Sequence, residues 1–125
     1  MSETSEPDLV LDFLGGAEGH RLRTGGGRDH ALLKAIGAKG SSKPRVVDAT
    51  AGLGRDSFLL AFMGLSVTMI ERSVNVHALL ADALLRAAAS GPEVAAIVDR
   101  ITLIRGDARE LLPGLQTDVV MVDPM

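Results

Sequence analysis

Four short runs of apolar and β-branched residues recur in the second two thirds of the chain. Each run is nearly continuous and lacks the apolar–polar alternation of a strand with one face in water. Such runs are typical of parallel strands that are covered on both faces. The predicted strands are RVVDAT (45–50), SVTMIE (66–71), ITLIRGDA with its exit loop (101–108) and DVVMVD (118–123).

Helical patterns separate these runs. Residues 55–64 predict one helix, and Ser73 is a suitable N-cap for a long helix that ends before Gly91-Pro92. Residues 92–100 predict a further helical segment, and residues 109–113 a short helix or turn. The long helix carries an apolar stripe of Leu79, Leu80, Ala83, Leu84, Ala87 and Ala88. This order of strands and helices predicts the α/β class, with an open, twisted, Rossmann-like parallel sheet.

The first third of the chain has a different pattern. Residues 1–8 predict a disordered tail, 9–13 a short strand and 15–28 a glycine-rich basic loop, and eight of the fourteen glycines lie between positions 15 and 40. Glycine there permits either close approach of the backbone to a ligand or simple flexibility. Residues 29–37 predict a short helix capped by Asp29. We therefore divide the chain into a tail (1–8), a glycine-rich basic segment (9–44) and a Rossmann-like domain (45–125).

The amino-acid composition excludes several kinds of functional site and segment. The chain has no Cys, which excludes disulfides, thiolate metal sites and Cys nucleophiles and fits a reducing cytoplasm. The acidic start MSETSEPD has no apolar core of a signal peptide, and no apolar run is long enough to span a membrane. The three histidines have no metal-ligand spacing, so we expect no metal site.

The charge is unevenly distributed. Residues 20–45 hold seven of the thirteen Lys and Arg residues but one of the sixteen acidic residues. This asymmetry favours either a contact with phosphate or nucleic acid, in which Arg21, Arg23 and Arg28 would take part, or a solvated basic face. The sequence leaves both interpretations open.

The stretch VVDATAGLGRD (46–56) is the most informative motif. It reads as a strand, then Asp48, then a turn with Gly52 and Gly54, then a helix whose first turn holds Arg55 and Asp56. A dinucleotide fingerprint requires a third glycine at the position of Ser57. The D-x-x-x-G-x-G spacing instead resembles the S-adenosyl-L-methionine (SAM) loop of class I methyltransferases.

Acidic residues end each of the predicted strands. Glu71 follows the second strand at the distance typical of an acid that binds a ribose, and Arg72 follows it at the same rim. Asp107 ends the third strand, where it is either an acceptor for an adenine amine, with the Ala108 N–H next to it, or a turn-forming residue after Gly106. Asp123 ends the fourth strand. The carboxyl ends of parallel strands share one sheet edge, so the sequence predicts a ligand site there.

Several segments together resemble one family. LDFLGGAEGHRLRTGGGR, VVDATAGLGRDSFLLA, IER and DPM are similar to the bacterial 16S rRNA guanine-N2 methyltransferases, the J member of the small-subunit rRNA methyltransferases, over roughly residues 9–125. The resemblance implies SAM-dependent methylation of the exocyclic amine of a guanine in 16S rRNA of the small ribosomal subunit. It implies SAM contacts by Arg55, Asp56, Glu71, Arg72, Asp107, Ala108 and Asp123. This family often has small hydroxyl residues at positions 107 and 108, so the resemblance is weaker there.

The segment DPM resembles the start of the amine-methyltransferase motif. The Asp123 carboxylate and the Pro124 carbonyl would accept the amine hydrogens and position the nitrogen for attack, which makes them the predicted catalytic groups. Because the family continues beyond this motif, we expect a sheet truncated after its fourth strand. We further expect little activity of these 125 residues alone, and self-association through the exposed fourth strand.

Two alternatives use the same residues differently. The chain could be an NAD-type oxidoreductase domain, although Ser57 and the DPM segment count against this. It could also be a non-catalytic module that binds RNA or SAM, with residues 20–45 contacting RNA.

Overall fold

The computed structural model describes residues 28–38, 40, 42–49 and 54–122. The predictions for the tail, for the strand at 9–13 and for the glycine-rich loop up to residue 27 lie outside the described residues. So do Arg21, Arg23, Gly52, Asp123 and Pro124. Arg28 is described through its backbone alone, as the first residue of a helix.

Four parallel strands form one sheet. They are β1 (Val46–Asp48), β2 (Val67–Glu71), β3 (Ile101–Arg105) and β4 (Val119–Met121). Their order across the sheet is β3-β2-β1-β4. Val46 pairs with Val67 on one side and with Val119 on the other. A Rossmann sheet arranges its first four strands in this order, so the predicted fold class is confirmed.

The helices lie close to their predicted positions. They are α1 (Arg28–Ala35), α2 (Arg55–Phe62), α3 (Val74–Ala88), α4 (Pro92–Val98) and α5 (Ala108–Leu111), and a 3₁₀ turn (Leu112–Gly114) follows α5. The predicted cap of α1 is wrong, because helix α1 already begins at Arg28 and Asp29 lies within it. The strands β1 and β4 are shorter than their apolar runs suggested. No helix in the described ranges is both long and apolar enough to cross a bilayer.

Local chemistry sets the ends of these helices. The Ser73 hydroxyl accepts a hydrogen bond from the Val76 N–H at 3.2 Å, which confirms the predicted N-cap of α3. Pro92 occupies the first turn of α4, where its missing N–H costs no hydrogen bond. Gly64 follows the end of α2 with a φ of 99°, a conformation that favours glycine.

The two central strands are buried on both faces. Val46, Val67 and Met69 face the main apolar cluster, which α2 and α3 also contribute to. Val47 and Ile70 alternate with them onto the opposite face and are each 2% exposed. The outer strands β3 and β4 are half-buried or exposed along their length. The prediction of strands covered on both faces therefore holds for the centre of the sheet and fails at its edges.

Helix α1 shares the core of the strands that follow it. Leu32 and Ile36 are buried in the same apolar cluster as Phe58 and Leu60 of α2. The Lys43 ammonium donates to the Met63 carbonyl at 2.9 Å, just past the end of α2. Residues on both sides of position 44 thus stabilise one core.

A fork of hydrogen bonds joins the amino-terminal ends of β1 and β4. The Arg45 guanidinium donates to both carboxylate oxygens of Asp118, at 3.2 and 3.3 Å, and to the Gln116 side chain at 3.2 Å. The Arg45 N–H also donates to Asp118 at 2.8 Å. These bonds lower the pKa of Asp118. They fix the register of β4 against β1.

Candidate active site at the carboxyl edge of the sheet

The predicted acidic residues lie at the carboxyl ends of neighbouring strands. Asp48 is the last residue of β1, Glu71 is the last residue of β2, and Asp107 follows β3 by two residues. Strand order reverses at β1, since β2 lies on one side of it and β4 on the other. Ligands of doubly wound folds bind in the crevice outside such a switch point. The structure thus brings the three acidic residues to the edge that the sequence predicted.

Asp48 is buried rather than open to solvent. It is 5% exposed and accepts a hydrogen bond from the Ser57 hydroxyl at 2.8 Å. Ser57 lies in the first turn of α2 and is 0% exposed. The pair fastens the end of β1 to the start of α2, the two elements that flank the predicted cofactor turn.

Helix α2 begins at a glycine without a side-chain cap. Gly54 adopts the left-handed conformation, with a φ of 74°, and its carbonyl accepts the first helical bond from the Phe58 N–H at 2.9 Å. The first four N–H groups of an α-helix have no intrahelical acceptor, so this helix start favours polar or anionic groups. Arg55 is exposed and Asp56 is half-buried in the first turn.

The Glu71 carboxylate is held by the start of the next helix. One of its oxygens accepts the Ser73 N–H at 2.9 Å. The Glu71 carbonyl accepts the Gly106 N–H at 3.0 Å, which ties the exits of β2 and β3 together. Glu71 is half-buried. Its carboxylate therefore has a fixed direction and retains acceptor capacity for a ligand.

Asp107 is engaged within its own turn. It caps α5 by accepting the Arg109 N–H at 2.9 Å, and it forms an ion pair with the Arg109 guanidinium at 2.8 Å. These bonds, together with the more distant charge of Arg72, lower the pKa of Asp107 to about 2. Ala108 is the first residue of α5. Asp107 is thus a charged acceptor at neutral pH, oriented by Arg109.

The end of β4 lies beside the turn that follows Asp48. The Ala49 N–H donates to the Met121 carbonyl at 2.9 Å, and Met121 pairs with Asp48 across the sheet. Met121 precedes Asp123 by two residues. This contact places Met121, two residues before the DPM segment, next to the switch point.

Two basic residues next to the start of β1 have structural partners. Lys43 is bonded to the Met63 carbonyl, and Arg45 is bonded to Asp118. A cavity of about 350 Å³ lies at this end of the molecule, opposite the acidic edge, and its lining includes Lys34, Lys43 and Met63. Lys43 and Arg45 therefore stabilise the fold directly.

Ser57 and Arg109 were not predicted as site residues. In the sequence, Ser57 stands in the place of the glycine that a dinucleotide fingerprint requires. Its hydrogen bond to Asp48 depends on the packing of α2 against β1, which the sequence does not show. Arg109 could have been found from the D-x-R spacing at a helix start, which places a guanidinium within reach of the capping carboxylate. Within the described ranges, no group of three His, Asp or Glu side chains could hold a metal ion.

Comparisons with known proteins agree with this geometry. The SAM-dependent methyltransferase family model matches residues 1–125. Ribosomal RNA small subunit methyltransferase J of Rhodopseudomonas palustris strain BisB5 is 62% identical over the whole chain, which covers 57% of that relative. The protein of the same name from Brucella anthropi is 58% identical over 98% of this chain and 59% of its own length. The chain thus spans less than two thirds of the length of these two relatives.

Solved structures show the same architecture. A SAM-dependent methyltransferase from Neisseria gonorrhoeae superimposes with a TM-score of 0.79 at 39% identity, over 97% of this chain and 50% of the other. The glycopeptide N-methyltransferase MtfA, in its complex with SAM, superimposes with a TM-score of 0.58 at 26% identity, over 75% of this chain and 39% of the other.

Proposed function

Because the chain belongs to the SAM-dependent methyltransferase family, we propose that it carries the cofactor-binding part of an enzyme that methylates the exocyclic N2 of a guanine in 16S rRNA. One observation carries the cofactor half of this proposal: Asp48, Glu71 and Asp107 lie at the carboxyl ends of three adjacent parallel strands. The rRNA half is supported by the names of the relatives from R. palustris and B. anthropi.

The chemistry of the edge fits SAM. This cofactor offers a ribose diol and an adenine amine as hydrogen-bond donors, and a sulfonium with a positive charge. The edge offers the oriented carboxylates of Glu71 and Asp107 as acceptors, and its acidic residues complement a cation. Because Gly54 has no side chain, a ligand can approach the start of α2 closely.

The proposed contacts follow from this fit. Glu71 binds the ribose hydroxyls, and Asp107 with the Ala108 N–H binds the adenine. Gly54 lies at the helix start that faces the cofactor, and Asp48 fixes the end of β1 beside it. We assign Gly52 to cofactor binding on the sequence motif alone. Arg55, Asp56 and Arg72 line the rim. When bound, SAM supplies an electrophilic methyl group.

We assign the amine chemistry to Asp123 and Pro124 on the sequence motif. The lone pair of the guanine amine is delocalised into the ring, so the nitrogen is a weak nucleophile. Acceptors for its two hydrogens favour a pyramidal nitrogen and orient it toward the methyl group. The Asp123 carboxylate and the Pro124 carbonyl provide such acceptors.

The RNA partner would meet the basic segment. Arg21, Arg23 and Arg28 are the proposed phosphate contacts, on the excess of basic residues between positions 20 and 45. Lys43 and Arg45 also belong to this stretch, but they have partners within the fold. A protein that neutralises several phosphates binds with a steep salt dependence, which substitution of these arginines would reduce. We also propose a cytoplasmic location, because rRNA is the proposed substrate.

We further propose that β4 pairs with a second copy of the chain. β4 is an outer strand of the described sheet, and Val120 and Val122 are 41% and 63% exposed. Edge strands with exposed apolar side chains pair readily with other chains. Light scattering at increasing concentration should show a dimer that Val120→Lys converts to a monomer. A wild-type chain that stays monomeric throughout would refute this contact.

The dinucleotide alternative fits the edge poorly. A pyrophosphate is anionic and would lie near the carboxylate of Asp48, and Ser57 replaces the glycine that the fingerprint requires. The relatives named above are methyltransferases, which gives the oxidoreductase hypothesis no support.

Deletion of the gene in its own host tests the proposed activity. Nucleoside mass spectrometry of 16S rRNA should show the loss of one N2-methylguanosine. Complementation with the wild-type gene should restore it, and complementation with a Glu71→Gln variant should restore it poorly. An unchanged N2-methylguanosine content in the deletion strain would overturn the proposal.

A further inference from the structure

The third residue of α2 is a serine where a dinucleotide-binding turn requires glycine. In that turn the glycine permits close packing of the helix on the strand. Here the side chain of Ser57 occupies the contact and is 0% exposed. Its hydroxyl donates to Asp48 at 2.8 Å. The helix is therefore held to the strand by a hydrogen bond between side chains.

The direction of Asp48 follows from the strand. Val46 and Asp48 are two residues apart, so their side chains lie on the same face of β1. Val46 belongs to the apolar cluster that α2 helps to form. A carboxylate on this face is removed from water, and it is stable there only with hydrogen-bond donors. The Ser57 hydroxyl is one such donor.

A fixed carboxylate at this position affects which ligand the edge prefers. Asp48 is at the switch point, and Glu71 and Asp107 carry charge of the same sign along the edge. Charge–charge interactions are stronger where water is excluded. A cationic sulfonium gains from the Asp48 charge, whereas its neutral thioether product does not.

We propose that Ser57 is a positioning residue that holds the Asp48 carboxylate at the end of β1, and thereby biases the site toward the charged sulfonium of SAM over the neutral thioether of S-adenosyl-L-homocysteine (SAH). This inference rests on the proposed function, because it presumes that SAM occupies this edge.

Calorimetric titration of the full chain with SAM and with SAH tests the bias. Both ligands share the adenosine and amino-acid groups and differ in the methyl group and its positive charge. Ser57→Ala should weaken SAM binding about tenfold or more, as expected for a hydrogen bond to a charged group, and SAH binding much less. A merely structural role would weaken both ligands alike and leave the ratio of the two Kd values unchanged.

Three further variants sharpen the test. Ser57→Thr keeps the hydroxyl and should keep the wild-type ratio. Asp48→Asn keeps an acceptor for that hydroxyl but removes the charge, so it should lose the bias as Ser57→Ala does. Ser90→Ala removes a hydroxyl that bonds the Ala87 carbonyl at the end of α3, far from the edge, and should change neither affinity.

The possible outcomes distinguish a failure of this inference from a failure of the proposed function. If the wild-type chain binds neither SAM nor SAH, the proposed function fails. If the wild-type chain binds both and Ser57→Ala keeps the wild-type ratio, the positioning role alone is overturned. If a urea titration shows that Ser57→Ala does not fold, Asp48→Asn provides the test instead. A wild-type ratio of the SAM and SAH Kd values in Asp48→Asn would then overturn the positioning role.

Discussion

The Ser73 N–H donates a hydrogen bond to the Glu71 carboxylate at 2.9 Å, and Ser73 also caps α3 through its hydroxyl. One residue therefore fixes both the start of the helix and the direction of the acid that ends β2. A carboxylate held in this way is oriented before a ligand arrives, which lowers the entropic cost of binding. This relationship makes Glu71 the best-defined acceptor of the site.

Glu71→Gln should weaken SAM binding about tenfold or more, because an amide cannot accept both ribose hydroxyls and loses the charge that strengthens these bonds. The urea-unfolding free energy without ligand should change little, since the glutamine oxygen can still accept the Ser73 N–H. Titration calorimetry measures the affinity. Glu93→Gln, at an exposed position in the first turn of α4, is the matched control and should bind SAM as the wild type does.

The charge on Asp107 should contribute a stability that depends on pH. Its pKa falls from 3.8 to about 2 in the folded chain, so the contribution is fully present above pH 4 and is lost as the pH falls toward 2. Asp107→Asn keeps an N-cap acceptor and removes the charge. Urea unfolding should find the variant less stable than the wild type at pH 6, and the difference should shrink as the pH falls toward 2. A difference that is as large near pH 2 as at pH 6 would show that the ion pair with Arg109 is not its source.

Removal of the Arg45 guanidinium should weaken the attachment of β4 to β1. Arg45→Ala keeps the backbone bonds to Asp118 and Val119 but removes the guanidinium that holds the Asp118 carboxylate. Hydrogen exchange at the amides of Asp118 and Val119 should become several-fold faster through local opening. Arg86→Ala, which removes an exposed ion pair with Asp82 on α3, should leave these two amides unchanged.

Helix α1 should unfold together with the sheet. Ile36, the residue directly after α1, is 7% exposed and belongs to the main core, so Ile36→Ala should lower the free energy of unfolding by about 2–4 kcal/mol. Leu85→Ala, at a position that is 73% exposed, should change it by less than about 0.5 kcal/mol. A first, separate transition in the urea curve of the wild type would instead show that residues 28–38 form an independent unit.

The sequence predicted the elements well where local signals were strong. Ser73 and Gly91-Pro92 delimit α3 because a hydroxyl cap and a proline act within a few residues of the helix end. The apolar runs located all four strands. The lengths of β1 and β4 were overestimated, because an apolar run continues beyond the residues that pair. The run at 45–50, for example, contains a strand of three residues. Asp29 failed as a cap because the helix began one residue earlier.

Long-range contacts could not be predicted from the sequence. The bonds between Arg45 and Asp118 join residues 73 positions apart, and the strand order depends on how the helices pack. Ser57 is nine positions from Asp48, and only the packing of α2 on β1 shows that they meet. The periodicity of apolar residues predicts which face of a helix or strand is buried, but it does not identify the hydrogen-bond partner of a buried polar side chain.

Separate calorimetric titrations of the full chain with SAM and with NAD decide whether the carboxyl edge of this sheet is a SAM site. We predict saturable binding of SAM at about one site per chain, as expected for a single switch-point crevice, and no heat of binding with NAD. Binding of NAD without binding of SAM would show that this edge is not a SAM site.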